Sequence, residues 1–188
     1  MKRVQYNAPV ILTFAGLSLA ALVLGWLTHG WTTEKLFCVY RSSLLDPLSY
    51  FRLVGHVLGH ADYTHYIGNM LLLLVVGPPL EEKYGSWALL RAILATAAIS
   101  GMAQILLFPH TALLGASGIV FMMIVLSSLA GMKEGRIPLT LILVLVFYLG
   151  GEALDLLTKQ DNVSQLTHIL GGLCGAGLGF ALEKRRQK

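Results

Sequence analysis

Charge is what this chain has least of. Asp, Glu, Lys and Arg together make up 13% of its 188 residues, about half the share in soluble domains, while 55% are hydrophobic. With a mean hydropathy of +0.69, the composition is that of an integral membrane protein. Cysteine is scarce too. Cys38 falls in a long loop and Cys174 in an apolar run, so no disulfide framework is indicated and the redox compartment stays open. His56, His60 and His65 with Asp62 offer metal ligands at helical spacing. The H-E-x-x-H signature is absent, however, and no acid stands where a water-activating base is expected, so neither a metal nor another cofactor is expected. No clean A-x-A site follows the first apolar stretch, whose 19 residues, Pro9 to Leu27, exceed the about 7–15 of a signal-peptide core. A retained first helix is expected, and the lack of an Arg-rich, Ser-rich presequence argues against organelle import.

What the chain does have is six apolar runs, each close to the ~20 residues that cross a bilayer as a helix. They cover approximately 9–27, 63–80, 87–108, 112–132, 137–157 and 163–182, predicting an all-α bundle of six transmembrane helices in one domain, 1–188. Turn residues mark the connections: Pro78-Pro79 with Gly85, Phe108-Pro109, Gly131 with Gly135 and Pro138, and Lys159-Gln160-Asp161-Asn162. Residues 28–62 form the only long loop. Basic residues then orient the bundle. With the N-terminus inside, the inner side holds Lys2, Arg3, Lys83, Arg91, Lys133, Arg136, Lys184, Arg185, Arg186 and Lys188, against Lys35, Arg41, Arg52 and Lys159 outside. Spread over four inner segments, these bases are a positive-inside signal, so the pI near 9.2 implies a lipid bilayer and no nucleic acid.

In this orientation the second, fourth and sixth spans start at the outer face, and their first turns carry polar residues. Asp62 is placed to cap the second span, with His65 and Asn69 one turn apart on one face. Ser117, within Gly115-Ala116-Ser117-Gly118, opens the fourth, and His168 lies roughly 6–9 Å into the sixth at 1.5 Å per residue. Asn69 lies roughly 10 Å down by the same rise, so the four groups share one depth. An ionisable side chain inside a membrane marks a functional site by default. A serine hydroxyl needs a neighbouring base to become a nucleophile, a role histidine fills, and acyl transfer needs donors aimed at the developing oxyanion. His65, Asn69 and the backbone N–H of Ser117 are suitable donors.

Blander readings stand beside this one. Ser127 and Ser128 are expected to bond back to their own helix. Gly115 and Gly118 also suit close helix packing. His168, Gly171, Gly175 and Gly179 fall on one helical stripe, where a neighbouring backbone can approach closely; if that neighbour is the fourth span, His168 is carried toward Ser117. Glu152 and Asp155 near the outer end of the fifth span are interfacial rather than an ion path.

With these motifs together, the chain resembles the rhomboid intramembrane serine proteases over nearly its whole length. His56-x3-His60-x4-His65-x3-Asn69 is similar to the family's histidine-rich start of the second helix, and Gly77-x3-Glu81-x3-Gly85 to its G-x3-E-x3-G element. Gly115-x-Ser117-Gly118 resembles the nucleophile motif, and His168-x2-Gly171-x3-Gly175 the sixth-helix motif. The resemblance implies a dyad of Ser117 as nucleophile and His168 as general base, with His65 and Asn69 stabilising the oxyanion. Glu81 would bond loop backbone near the inner end of the second helix, and Arg52 would be the arginine of the outer loop's W-R motif. Two positions depart from the pattern: Phe121 stands where a tyrosine often stacks on the catalytic histidine, and Phe51 where tryptophan is common. The activity implied is endoproteolysis of transmembrane substrates near their outer ends, with the second and fifth spans as the lateral opening. The alternative is a non-proteolytic relative that binds transmembrane clients. The expected location is a bacterial plasma membrane, with both termini cytoplasmic.

Overall fold

The computed structural model describes residues 5–130, 139, 142, 143, 146 and 162–186. Among the described residues seven α-helices are delimited: α1 (Pro9–Leu27), α2 (Trp31–Leu36), α3 (Pro47–Gly55), α4 (Tyr63–Tyr84), α5 (Ser86–Leu107), α6 (Ser117–Ala130) and α7 (Asn162–Arg186). No strand occurs among the described residues, only an isolated antiparallel bridge between Val39 and Leu113.

Local chemistry sets most helix ends. Proline opens α1 and α3 in the first turn, where a missing N–H costs nothing. Asp46 caps α3 through the N–H of Leu48, and Asp62 caps α4 through the N–H of His65 at 2.7 Å. Gly85, at φ 84°, ends α4 and starts α5 in a single residue, which makes the two helices a tight hairpin. By length and apolar composition α1 and α5 are able to cross a membrane. Large apolar side chains such as Val75 (71% exposed) and Trp87 (73%) are left uncovered by the described residues.

Three sequence expectations are corrected. Pro78-Pro79 do not mark a connection; they lie inside α4, which runs to Tyr84. Each removes one helical N–H, yet the helix persists because its last turn is held from outside, by Glu81 bonded to the start of α1 and by the Gly85 N–H on the Glu81 carbonyl. The fourth apolar run is not helical from residue 112. Leu113 pairs with Val39 through two 2.9 Å backbone hydrogen bonds, and the helix starts at Ser117. The 28–62 loop is itself built from α2, α3 and a 3-10 turn over His56–Leu58. The fifth span, with Glu152 and Asp155, lies almost wholly outside the described residues.

The most extensive helix contact among the described residues joins α6 and α7, and glycine makes it possible. A Cβ on Gly171 would run into the backbone carbonyl of Gly118, one on Gly175 into that of Met122, and one on Gly179 into Leu129. The stripe predicted from spacing therefore faces α6, the helix that begins with Ser117. Gly171→Val is expected to lower the thermal midpoint in detergent, since overpacking costs about 1–3 kcal/mol, whereas Gly177→Ala, with no atom of the described residues within 4 Å of its Cβ, is expected to be neutral. Equal midpoints for the two variants would show that the close approach is not needed.

Candidate active site

α4, α6 and α7 all begin at one end of the bundle, and side chains near their starts line an open cavity of ≈ 450 Å3. Ser117 and His168 line it together with His65 and Asn69, so the structure brings the four predicted groups to one place. Thr64, Gly68 and Leu72 supply the α4 wall and Leu113 and Leu114 the wall leading into α6. At the far end of the bundle the Lys83 ammonium donates to the Ala130 carbonyl, tying the end of α4 to the end of α6.

Ser117 is held by what precedes it. The N–H of Gly115 donates to the His56 carbonyl at 3.0 Å, and Val120 closes the first helical bond on the Ala116 carbonyl at 2.9 Å. By helix geometry, the N–H groups of the residues opening α6 have no partner four residues earlier, so this helix start presents backbone donors and the positive end of the dipole. Gly115 adopts φ +125°, and a Cβ there would lie 2.9 Å from the His65 ring, so only glycine permits both the turn and the approach of the imidazole. Gly118 serves packing instead: its Cβ would stand 2.9 Å from Thr167 on α7.

The donors are oriented as well. His65 Nδ1 accepts the Ala61 N–H at 3.5 Å, which in a neutral imidazole leaves Nε2 as the donor, on the ring edge that lies against Gly115. Asn69, buried, spends one amide hydrogen on the His65 carbonyl at 3.1 Å and keeps the second. Phe121 is fully buried, its ring tilted 58° to that of His168 with centroids 6.5 Å apart, a tilted contact and not a parallel stack. Gly172, not singled out by the sequence, makes room for it, since a Cβ there would press on the Phe121 ring. Ser128 bonds back to the Ile124 carbonyl at 3.0 Å, as expected.

The segment 35–60 abuts this site, Val39 pairing with Leu113 and the His56 carbonyl accepting the Gly115 N–H, and Arg52 is the hub of that segment. The buried guanidinium donates to the Lys35 carbonyl, to Ser42 and Ser49 Oγ and to the Asp46 carboxylate, and lies 4.6 Å from the Tyr40 ring centroid. Its hydrogen bond holds the Asp46 carboxyl below the usual carboxylate range. Phe51, 44% exposed, meets Phe37 edge-on at 5.9 Å. Burial pushes the Cys38 thiol up to about 11, so it is a neutral packing group. Glu81 bonds backbone, as the resemblance implies, but at a helix start and not in a loop: its carboxylate accepts the Val10 and Ile11 N–H groups of α1 and the Ser86 hydroxyl of α5.

The remaining histidines diverge. His56 Nδ1 faces the Arg52 carbonyl and Nε2 faces Ser100 Oγ, whereas His60 bonds the Leu58 carbonyl and meets the His65 ring at a centroid distance of 5.0 Å. Among the described residues no group of three or more His, Cys, Asp or Glu is placed to hold a metal ion. Burial lowers both His56 and His60 from 6.5 to about 4. The unfolded chain then binds more protons than the fold between these values, so stability is full above pH ~6.5 and lost toward pH ~4. The thermal midpoint is expected to fall on acidification across this window, with a shallower slope for His56→Gln. A midpoint independent of pH from 6.5 to 4.5 would contradict it.

An all-helical apolar bundle with a serine and a histidine facing one cavity at its helix starts is thus the class defined by fold and site. Residues 47–185 match the family model of the Rhomboid domain, and the chain belongs to the rhomboid family, a family of membrane-embedded proteins. It is 26% identical over 187 residues to Rhomboid-related protein 2 of Mus musculus, covering 88% of this chain and 62% of that protein. It is 29% identical over 141 residues to Rhomboid-related protein 1 of Caenorhabditis elegans, covering 70% and 40%. Against Rhomboid-like protein 11, chloroplastic, of Arabidopsis thaliana it is 23% identical over 150 residues, covering 72% and 54%. The chain therefore spans less than two thirds of the length of each of these relatives.

Proposed function

We propose that the protein is an intramembrane serine endopeptidase. The observation that carries this reading is the shared cavity: Ser117, His168, His65 and Asn69 come from three helices and line one space. Ser117 Oγ attacks the scissile carbonyl while His168 takes its proton, and the tetrahedral oxyanion is met by the Ser117 N–H, the His65 Nε2–H and the free amide hydrogen of Asn69. His168 then protonates the leaving amine, giving an acyl-enzyme. Water, activated by the same imidazole, hydrolyses the ester and restores Ser117. By family resemblance the dyad has no carboxylate third member, and the Phe121 ring lies beside that of His168.

The proposed substrates are transmembrane proteins, cut near their outer ends in a six-span bundle oriented with both termini in the cytoplasm. A helical peptide bond is shielded from attack, so helix-destabilising residues near the cut, and by family resemblance a small residue just before it, are expected. The bacterial plasma membrane is the proposed location. The test is labelling of the detergent-solubilised protein with a fluorophosphonate, followed by cleavage of a fluorogenic transmembrane substrate. Labelling that survives Ser117→Ala removes the dyad, and serine-dependent labelling without cleavage of any transmembrane substrate favours a binder of transmembrane clients.

A further inference from the structure

Among the described residues α1 and α5 are long and apolar enough to cross a membrane, and near their starts they leave a groove of ≈ 340 Å3 between them. Val10, Phe14 and Leu17 of α1 and Trp87, Leu90 and Ile93 of α5 form its walls. Its two polar side chains are already engaged: the Thr13 hydroxyl shares a 2.9 Å hydrogen bond with the Tyr6 hydroxyl, and the Ser86 hydroxyl donates to Glu81 at 2.7 Å. No side-chain polar group is left to bind a polar ligand, so the groove suits hydrocarbon.

One charge flanks it. Arg91 stands one turn beyond Trp87 on α5, roughly 8 Å from the helix start at Ser86 at 1.5 Å per residue. It is exposed and makes no hydrogen bond or ion pair among the described residues. An arginine inside a membrane-crossing helix needs a counter-charge, and the acids at this end do not supply it. Glu81 is 4% exposed, with its carboxylate occupied by three donors, and Glu82 lines a separate cavity with Gln5, Asn7 and Pro78. The long arginine stem can reach back toward the helix start, where the exposed Trp87 is the kind of ring that sits at a membrane boundary. An apolar slot beside an unpaired guanidinium is complementary to a hydrocarbon chain that ends in an anion.

We propose that the groove holds an acyl chain of an anionic phospholipid whose phosphate pairs with Arg91. The lipid sits at the end of the bundle away from Ser117 and fills the space between α1 and α5, beside the Glu81 bonds that join their starts. A second copy of the chain suits the groove less well, because a two-fold contact there would bring two unpaired Arg91 side chains to one interface. The site is independent of the proteolytic reading.

The experiment adds dioleoyl phosphatidylglycerol or dioleoyl phosphatidylcholine, which share their chains and differ in net headgroup charge, to the delipidated protein in detergent. Bound lipid is read by native mass spectrometry. Wild type is expected to bind phosphatidylglycerol about fivefold more tightly than phosphatidylcholine, the effect of about one basic contact. Arg91→Gln is expected to bring that ratio close to one, while Lys35→Gln, which removes an exposed base at the opposite end, leaves it unchanged. Leu90→Trp, which fills the groove, is expected to weaken both lipids alike. A wild-type ratio near one overturns the proposal, as does an equal fall in Arg91→Gln and Lys35→Gln, or lipid binding untouched by Leu90→Trp. A dimer that persists without lipid and is lost in Leu90→Trp assigns the groove to a second copy and overturns it too. Arg91 is exposed, so its variant decides the matter even where Leu90→Trp fails to fold.

Discussion

Ser117→Ala is expected to abolish fluorophosphonate labelling and to cut proteolysis by at least about 10⁴-fold, and His168→Ala to do nearly the same. The two losses are not additive, because nucleophile and base act as one unit: without the base the hydroxyl stays protonated, and without the hydroxyl there is no proton to take. The double variant should therefore be little worse than either single one. His65→Ala and Asn69→Ala should behave differently, each leaving Ser117 reactive while lowering kcat by about 10²–10³-fold through loss of an oxyanion donor. All four residues line the cavity, so a purely structural role would show as lost heat stability in step with lost activity. Ser117→Ala proteins that unfold like wild type but still cleave would remove the dyad outright.

The legible part of this site was the part set by cost and period. Ser117, His168, His65 and Asn69 stood out because polar groups are expensive in hydrocarbon, and Gly171, Gly175 and Gly179 because a helical stripe follows from spacing alone. Resemblance supplied Glu81 and Arg52 as positions, while such distant partners as Ile11, 70 residues from Glu81, and Lys35, 17 from Arg52, come only from the fold. The same non-local reach hid the extended run before Ser117. Apolar residues 112–116 suit a helix or a strand equally, and pairing of Leu113 with Val39 decides between them. Pro78-Pro79 misled for the same reason, since local propensity ends a helix that tertiary bonds at Glu81 continue.

Glu81→Ala is expected to be the most destabilising single change away from the cavity, by several kcal/mol, since each buried donor left unmet costs about 1–3 kcal/mol and the carboxylate serves three of them. Ala8, the residue before α1, offers no side-chain cap, so the first N–H groups of that helix rely on a carboxylate from α4. Glu81 is 4% exposed; its Oε1 takes the Val10 N–H at 3.0 Å and the Ser86 hydroxyl at 2.7 Å, and its Oε2 takes the Ile11 N–H at 3.0 Å. Three elements, the starts of α1 and α5 and the end of α4, thus share one side chain. Glu81→Gln keeps the shape but turns an NH2 group toward a backbone N–H, leaving one donor unmet at about 1–3 kcal/mol. Glu81→Asp is one methylene short of α1. The expected order of thermal midpoints is therefore wild type, then Gln, then Ala, with amide exchange at Val10 and Ile11 accelerating in the same order. A Gln variant as stable as wild type, with those two amides still protected, would show that the carboxylate charge is not what fastens α1 to the bundle.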